Sequence, residues 1–353
     1  MPAPSPKLAG ALLWVLSCAA LACHGGARPG SALALTGAGA TFPYPLYSKW
    51  FSDYSRQSGA EINYQPIGSG GGIRQFTQGT VDFGATDAPM NQEQLDAVQG
   101  RVLHLPTVMG AVAVTYNLSG VMPLQLDGPA IADIFLGKIT QWNDRRIAAL
   151  NPAVRLPDEE IVVVHRSDGS GTSYIFTHYL SAVSAEWKER VGSGESVNWP
   201  AGLGGRGNEG VTAQVKQSEG AIGYVELVYA SANKLPYARV KNAAGAFVEP
   251  SIASVTAAAA IAKFEPTTDF RVSIINAPGA DAYPIASFTW LLVAPDMQDT
   301  AKARVLKGFL EWMLTEPAQQ MAATLQYAPL PPPVVTLVRD RIMRLKALGK
   351  PIS

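Results

Sequence analysis

Three short stretches of this chain share a chemical character. Each runs from an apolar segment through a loop of Gly, Ser and Thr into an amphipathic segment. They are Leu35-Thr36-Gly37-Ala38-Gly39-Ala40-Thr41-Phe42, Gly68-Ser69-Gly70-Gly71-Gly72 and Arg166-Ser167-Asp168-Gly169-Ser170-Gly171-Thr172. The opening N–H groups of a helix have no partner within it, and the helix dipole places about half a positive charge there. Glycines let an anion approach those groups closely, and hydroxyls add donors. Plain helix capping by Thr41, Ser69 and Ser170 is the competing explanation, and for a single loop the better one. Three such loops, one carrying Arg166, point instead to a site for a small anion.

Arg166 would bring a full charge and a planar fork suited to tetrahedral oxyanions. Taken alone, it reads as a solvated or ion-paired surface arginine. Asp87 would be the discriminating group. A carboxylate facing an oxyanion is repulsive unless a proton lies between them. Phosphate carries that proton and sulfate does not, so a buried Asp87 would favour phosphate. Asp87-Ala88-Pro89 also fits a turn, and the two roles are compatible.

Other chemistries fit less well. No G-x-x-x-x-G-K-[ST] sequence exists, and the Gly68–Gly72 spacing fails the dinucleotide pattern. The histidines His24, His104, His165 and His178 lack metal-ligand spacing, so no metal and no cofactor are expected. Trp142 and Trp187 read as core anchors, and Asp133, Asp144 and Asp158 as solvated loop acids. A secreted phosphatase or hydrolase using Ser69 or Ser170 is the alternative from a different class. It would need a base, and no G-x-S-x-G elbow is present. A binder of another oxyanion, such as sulfate or molybdate, is a further alternative. With 28 basic and 28 acidic residues among 353, the chain has no bulk basic excess, which argues against nucleic acid as a partner.

The elements that must position these loops follow α/β grammar. Buried strands are expected at Val108–Tyr116, Ile161–His165, Ala221–Val225 and Ser287–Val293. Helices are expected at Pro43–Tyr54, Gly72–Gln78, Thr172–Leu180 and Thr300–Leu314, the last burying Val305, Phe309, Trp312 and Met313. A final helix, Val334–Ala347, would follow the stiff Pro331-Pro332-Pro333 turn. Residues 1–34 read as a signal peptide: Lys7, an apolar run from Leu8 to Ala22, and Ala32-Leu33-Ala34 before Leu35. Ala20-Leu21-Ala22-Cys23 offers a second exit as a lipoprotein with Cys23 lipidated. Both cysteines, Cys18 and Cys23, lie in this leader. Lys7 and Arg28 are its only charges, so the remainder has a net charge of −2 and must be stable by core burial without disulfides.

The loops and the segments between them resemble the phosphate-binding proteins of ABC transporters, the PstS family. The resemblance runs over essentially all of 35–353. It rests on the Leu35–Pro43 stretch, Gly68–Gly72, Val81-Asp82-Phe83-Gly84-Ala85-Thr86-Asp87-Ala88-Pro89, Leu136-Gly137-Lys138-Ile139, Asp168–Thr172 and Ala221–Glu226, in that order. It implies a type II periplasmic-binding-protein fold, with each lobe a mixed sheet flanked by helices and two crossover strands joining them. Lobe I would be 35–110 plus 285–353, and lobe II 111–284. The phosphate-binding residues implied are Ala40, Thr41, Phe42, Ser69, Asp87, Arg166, Ser170, Gly171 and Thr172, with Asp168 holding Arg166. Thr86 stands where the family often has Ser, and the hydroxyl is kept. The implied life is that of a periplasmic monomer with no turnover, passing inorganic phosphate to a membrane permease with its ATPase.

Overall fold

The structure, a computed structural model, describes residues 33–265 and 269–352. The expected signal peptide, residues 1–34 with Cys18, Cys23 and His24, lies outside the described residues apart from Leu33 and Ala34. Ala34 opens the first strand.

Eight strands form one curled sheet. Their order is Glu61–Pro66, Ala34–Gly39, Phe83–Thr86, Ala286–Val293, Leu103–Tyr116, Ala221–Glu226, Val162–Arg166 and Leu203–Gly205. The strand Leu103–Tyr116 is shared by two halves. Its residues 103–111 pair antiparallel with Ala286–Val293, and 112–116 pair antiparallel with Ala221–Glu226. The chain crosses from one half to the other along it and returns beside it, where the Val112 N–H donates to the Ile285 carbonyl at 2.8 Å. This is the two-lobed α/β architecture expected from the sequence. The shared strands are apolar almost throughout because helices cover both faces. Every residue of Ala221–Glu226 and Ala286–Val293 is buried. Trp142 and Trp187 are fully buried, as expected of core anchors.

In each half the outer strands run parallel. Parallel strands put their carboxyl ends, and the loops into the following helices, on one side. Ala34–Gly39 leads to Thr41, Phe83–Thr86 to Asp87, and Val162–Arg166 ends on Arg166 itself. Sheet direction gathers Thr41 and Asp87 within one half; three antiparallel pairings separate them from Val162–Arg166, which runs the opposite way, so its carboxyl end meets theirs from the other half.

Four local expectations need correction. The helix expected at Gly72–Gln78 runs Ser69–Thr77, so Ser69 opens it. The final helix spans Pro332–Ile342, because Pro332 and Pro333 fit its first turn, where a missing N–H costs little. Lys346–Ala347, expected to be helical, instead pairs with Lys350–Pro351 and Asp296–Met297. Leu348 and Gly349 make that turn at positive φ. In the helix Thr300–Met313 the buried face is Ala303, Leu306, Phe309, Leu310 and Met313, with Val305 and Trp312 half-buried at its border. Asp133 lies in the helix Gly128–Phe135 and pairs with Arg146, so it is not a loop acid.

Candidate anion site

The three loops converge. Ser69 Oγ accepts the Asp87 N–H at 3.1 Å and lies 3.4 Å from Asp87 Oδ2. Gly171 packs directly on that pair, since a Cβ there would come within 2.6 Å of Asp87 Oδ2. The Gly70 N–H donates to the Gly169 carbonyl at 3.0 Å. Thr41 and Thr172 are joined through Asn208, whose Nδ2 lies 2.8 Å from Thr41 Oγ1 and 3.2 Å from Thr172 Oγ1. Thr41, Ser69, Asp87, Arg166, Ser170 and Thr172 are all buried.

Capping explains only one of the three loops. Ser170 accepts the Ser173 N–H at 3.0 Å and caps the helix Gly171–Val183. Thr41 and Ser69 do not cap. The flanking cap positions are Pro43 and Gly68, neither making a side-chain bond to its helix. Their hydroxyls are turned inward, toward Asn208 and Asp87. Gly68 has φ +87°, a conformation that favours glycine, and a Cβ there would collide with Asp168 and Gly169.

Arg166 is 3% exposed, so it is not a surface arginine. Its Nε donates to Asp168 Oδ1 at 2.7 Å and its Nη2 to Oδ2 at 2.5 Å. Nη1 lies 3.3 Å from Thr172 Oγ1. Burial pushes the Asp168 carboxyl up, but the Arg166 bonds and charge, with the Gly207 N–H, outweigh it and hold it below its usual range. The two bonds to Asp168 fix the direction of the buried guanidinium. It presents its remaining edge toward the loops.

Asp87 has the opposite balance. Burial raises its carboxyl to about 7, against the lowering effects of the Thr289 bond, the Arg166 charge and the Ser69 bond. Thr289 Oγ1 donates to Oδ1 at 2.7 Å. Among the described residues Oδ2 has only the long hydrogen bond to Ser69, which leaves it able to share a proton with a ligand. The Asp87-Ala88-Pro89 turn is made by Thr86, whose hydroxyl bonds the Ala88 N–H and carbonyl at 3.0 and 2.6 Å. The Asp87 side chain is therefore released from turn duty.

Backbone carbonyls would repel an anion, and here three consecutive ones are held by tyrosines. Tyr64, Tyr229 and Tyr327 donate to the carbonyls of Ala40, Thr41 and Phe42 at 2.8, 2.6 and 2.7 Å. The Ala40 N–H goes to Ala85, so Ala40 lines the turn without offering a donor.

Sequence reasoning missed Asn208, Thr289 and the three tyrosines. Asn208 had a signal. Leu203-Gly204-Gly205-Arg206-Gly207-Asn208 is a fourth glycine loop between a strand and a helix, the helix being Gly207–Gln217. Thr289 and the tyrosines lie in ordinary apolar patterns and carried none. A cavity of about 890 Å³ lies outside the Gly70–Gly169 contact, lined by Arg74, Gln94, Glu195 and Arg206 among others. It is not the site itself, because Thr41, Ser69, Asp87, Arg166, Ser170 and Thr172 are absent from its lining. Among the described residues no cluster of metal-ligating side chains is present. His165 stacks on Trp199 at 4.9 Å, a packing role.

The PBP superfamily domain matches residues 26–317. The Phosphate-binding protein PstS of Xylella fastidiosa (strain 9a5c) is 48% identical over 303 residues, covering 85% of this chain and 82% of that protein. The protein of the same name from Pasteurella multocida is 45% identical over 307 residues, covering 86% and 88%. In fold, the chain is similar to a putative phosphate ABC transporter substrate-binding protein from Clostridium perfringens, solved with bound phosphate. The TM-score is 0.62 at 19% identity, covering 84% of this chain and all of that one.

Proposed function

This chain belongs to the PstS family of phosphate-binding proteins, and from that premise we propose that it binds inorganic phosphate between two lobes and delivers it to an ABC transporter for import. One observation carries the ligand assignment. Thr41, Ser69, Arg166, Ser170 and Thr172 form a buried, donor-rich shell, and it holds one carboxylate oxygen, Asp87 Oδ2, poised to share a proton. Phosphate supplies many acceptors and that proton; sulfate supplies the acceptors only. The backbone N–H groups of Phe42, Gly171 and Thr172 complete the donor set. Each is at a helix start or the turn before it, where a partner is lacking.

The lobes proposed are 35–110 plus 285–353 and 111–284, with the Gly70–Gly169 contact closing the cleft between them. Export through the leader, with either a periplasmic soluble form or a lipid anchor at Cys23, belongs to the same reading, as does function as a monomer docking on a permease and its ATPase. Binding without turnover is proposed over hydrolysis. Ser69 faces Asp87, whose Oδ1 is held by Thr289 and whose Oδ2 on this reading is reserved for the ligand proton, and Ser170 caps its helix. Titration calorimetry of purified protein with phosphate and with sulfate tests the assignment. Tight phosphate binding with sulfate weaker by orders of magnitude is expected; equal affinities would overturn it. Incubation with a phosphomonoester should release no more phosphate than one equivalent.

A further inference from the structure

The side chain of Asn208 is fully buried, and its Oδ1 and Nδ2 both have hydrogen-bond partners. The Glu226 N–H, which can only donate, lies 3.0 Å from Oδ1, and this fixes which end of the amide is oxygen. Nδ2 must then face the other way. Its two hydrogens are matched by two acceptors, Thr41 Oγ1 at 2.8 Å and Thr172 Oγ1 at 3.2 Å. The Asn208 N–H adds a second donor to Thr41 Oγ1 at 3.2 Å. Arg166 Nη1 adds a second donor to Thr172 Oγ1 at 3.3 Å.

A hydroxyl oxygen has two lone pairs and one proton. Both lone pairs of Thr41 and both of Thr172 face donors. Each hydroxyl can therefore act only as a donor, and neither has a protein acceptor for its proton among the described residues. We propose that Asn208 is a positioning residue that sets the direction of the Thr41 and Thr172 hydroxyls, so that both must donate into the anion site, while tying the two halves that carry them. Asn208 has no hydrogen left for the ligand itself, so its effect passes through the threonines. A threonine hydroxyl free to rotate could turn a lone pair toward the anion; these two cannot.

The inference rests on the phosphate reading, and the test separates them. Phosphate affinity is measured by calorimetry for the native chain, Asn208→Ala, Thr41→Val, Thr172→Val and the two doubles, each checked for a cooperative thermal transition. Absence of phosphate binding by the native chain would overturn the reading of the site. If the native chain binds, Asn208→Ala should weaken phosphate about 10-fold or more. In the Thr41→Val or Thr172→Val background the same change should cost clearly less, because the group it orients is gone. A purely structural asparagine would cost the same in all backgrounds, and that additivity would overturn the proposal. Should Asn208→Ala not fold, Asn208→Asp, nearly isosteric, serves in the same cycles. Its carboxylate would accept both threonine protons, so it should weaken binding more in the native background than in either valine background. Equal losses would overturn the proposal.

Discussion

Arg166 and Asp168 are two residues apart in sequence and form a two-bond fork, Nε to Oδ1 at 2.7 Å and Nη2 to Oδ2 at 2.5 Å. On the proposed reading the arginine carries the positive charge for phosphate, and the aspartate, bonded to it twice, aims it. Breaking a buried pair leaves one charge uncompensated, at about 3–5 kcal/mol. Arg166→Ala should therefore weaken phosphate by at least about 10²-fold in calorimetry. Asp168→Asn should weaken it less and lower the melting temperature of the ligand-free protein. Near-native affinity in Arg166→Ala would refute the role given to this pair.

Asp87 should govern selectivity. Asn at this position can donate to either oxyanion and no longer penalises a ligand that lacks a proton. Competition between phosphate and sulfate should shift toward sulfate in Asp87→Asn by about 10-fold or more. An unchanged ratio would defeat the proton-sharing account.

The same group should shape stability against pH. Its folded pKa is about 7, against 3.8 for the ordinary carboxyl, with burial the main cause. Between those values the folded chain holds a proton that the unfolded chain releases. The stabilising contribution is complete below about pH 4 and is lost as pH rises through 7. The full effect is on the order of 4 kcal/mol. Glu195, raised to about 7 by burial, adds a slope of the same sign. Urea unfolding of the ligand-free protein at pH 5 and pH 8 should show lower stability at pH 8. Asp87→Asn should flatten that difference without abolishing it.

The Gly70–Gly169 contact should govern release. A Cβ at Gly70 would lie 3.2 Å from the Gly169 Cα, closer than most real contacts. Gly70→Ala should push the loops apart and weaken the N–H to carbonyl bond across the cleft. Stopped-flow fluorescence should report a phosphate off-rate raised by roughly 10-fold, with the on-rate changed much less. A slower on-rate with an unaltered off-rate would contradict a closing role.

The loop chemistry was legible in the chain because it is local. Strand, glycine, hydroxyl and helix follow one another within about ten residues, and alternation of apolar strands with amphipathic helices announced an α/β fold, while its two lobes were implied by the family resemblance. The pairing of Arg166 with Asp168 came from the family resemblance, and their closeness in sequence makes the fork easy to form. What local pattern cannot encode is which long-range partner occupies each polar atom. Asn208 meets Thr41 across 167 positions and Thr289 meets Asp87 across 202. Three tyrosines from separate elements turn away the carbonyls of one loop. The fate of Lys346–Ala347 was likewise decided by a neighbouring strand rather than by its own propensity. Residue types determined that this chain could hold an oxyanion; burial then required every polar atom to find a partner, and only the folded packing could assign those partners and leave the remaining protons facing inward.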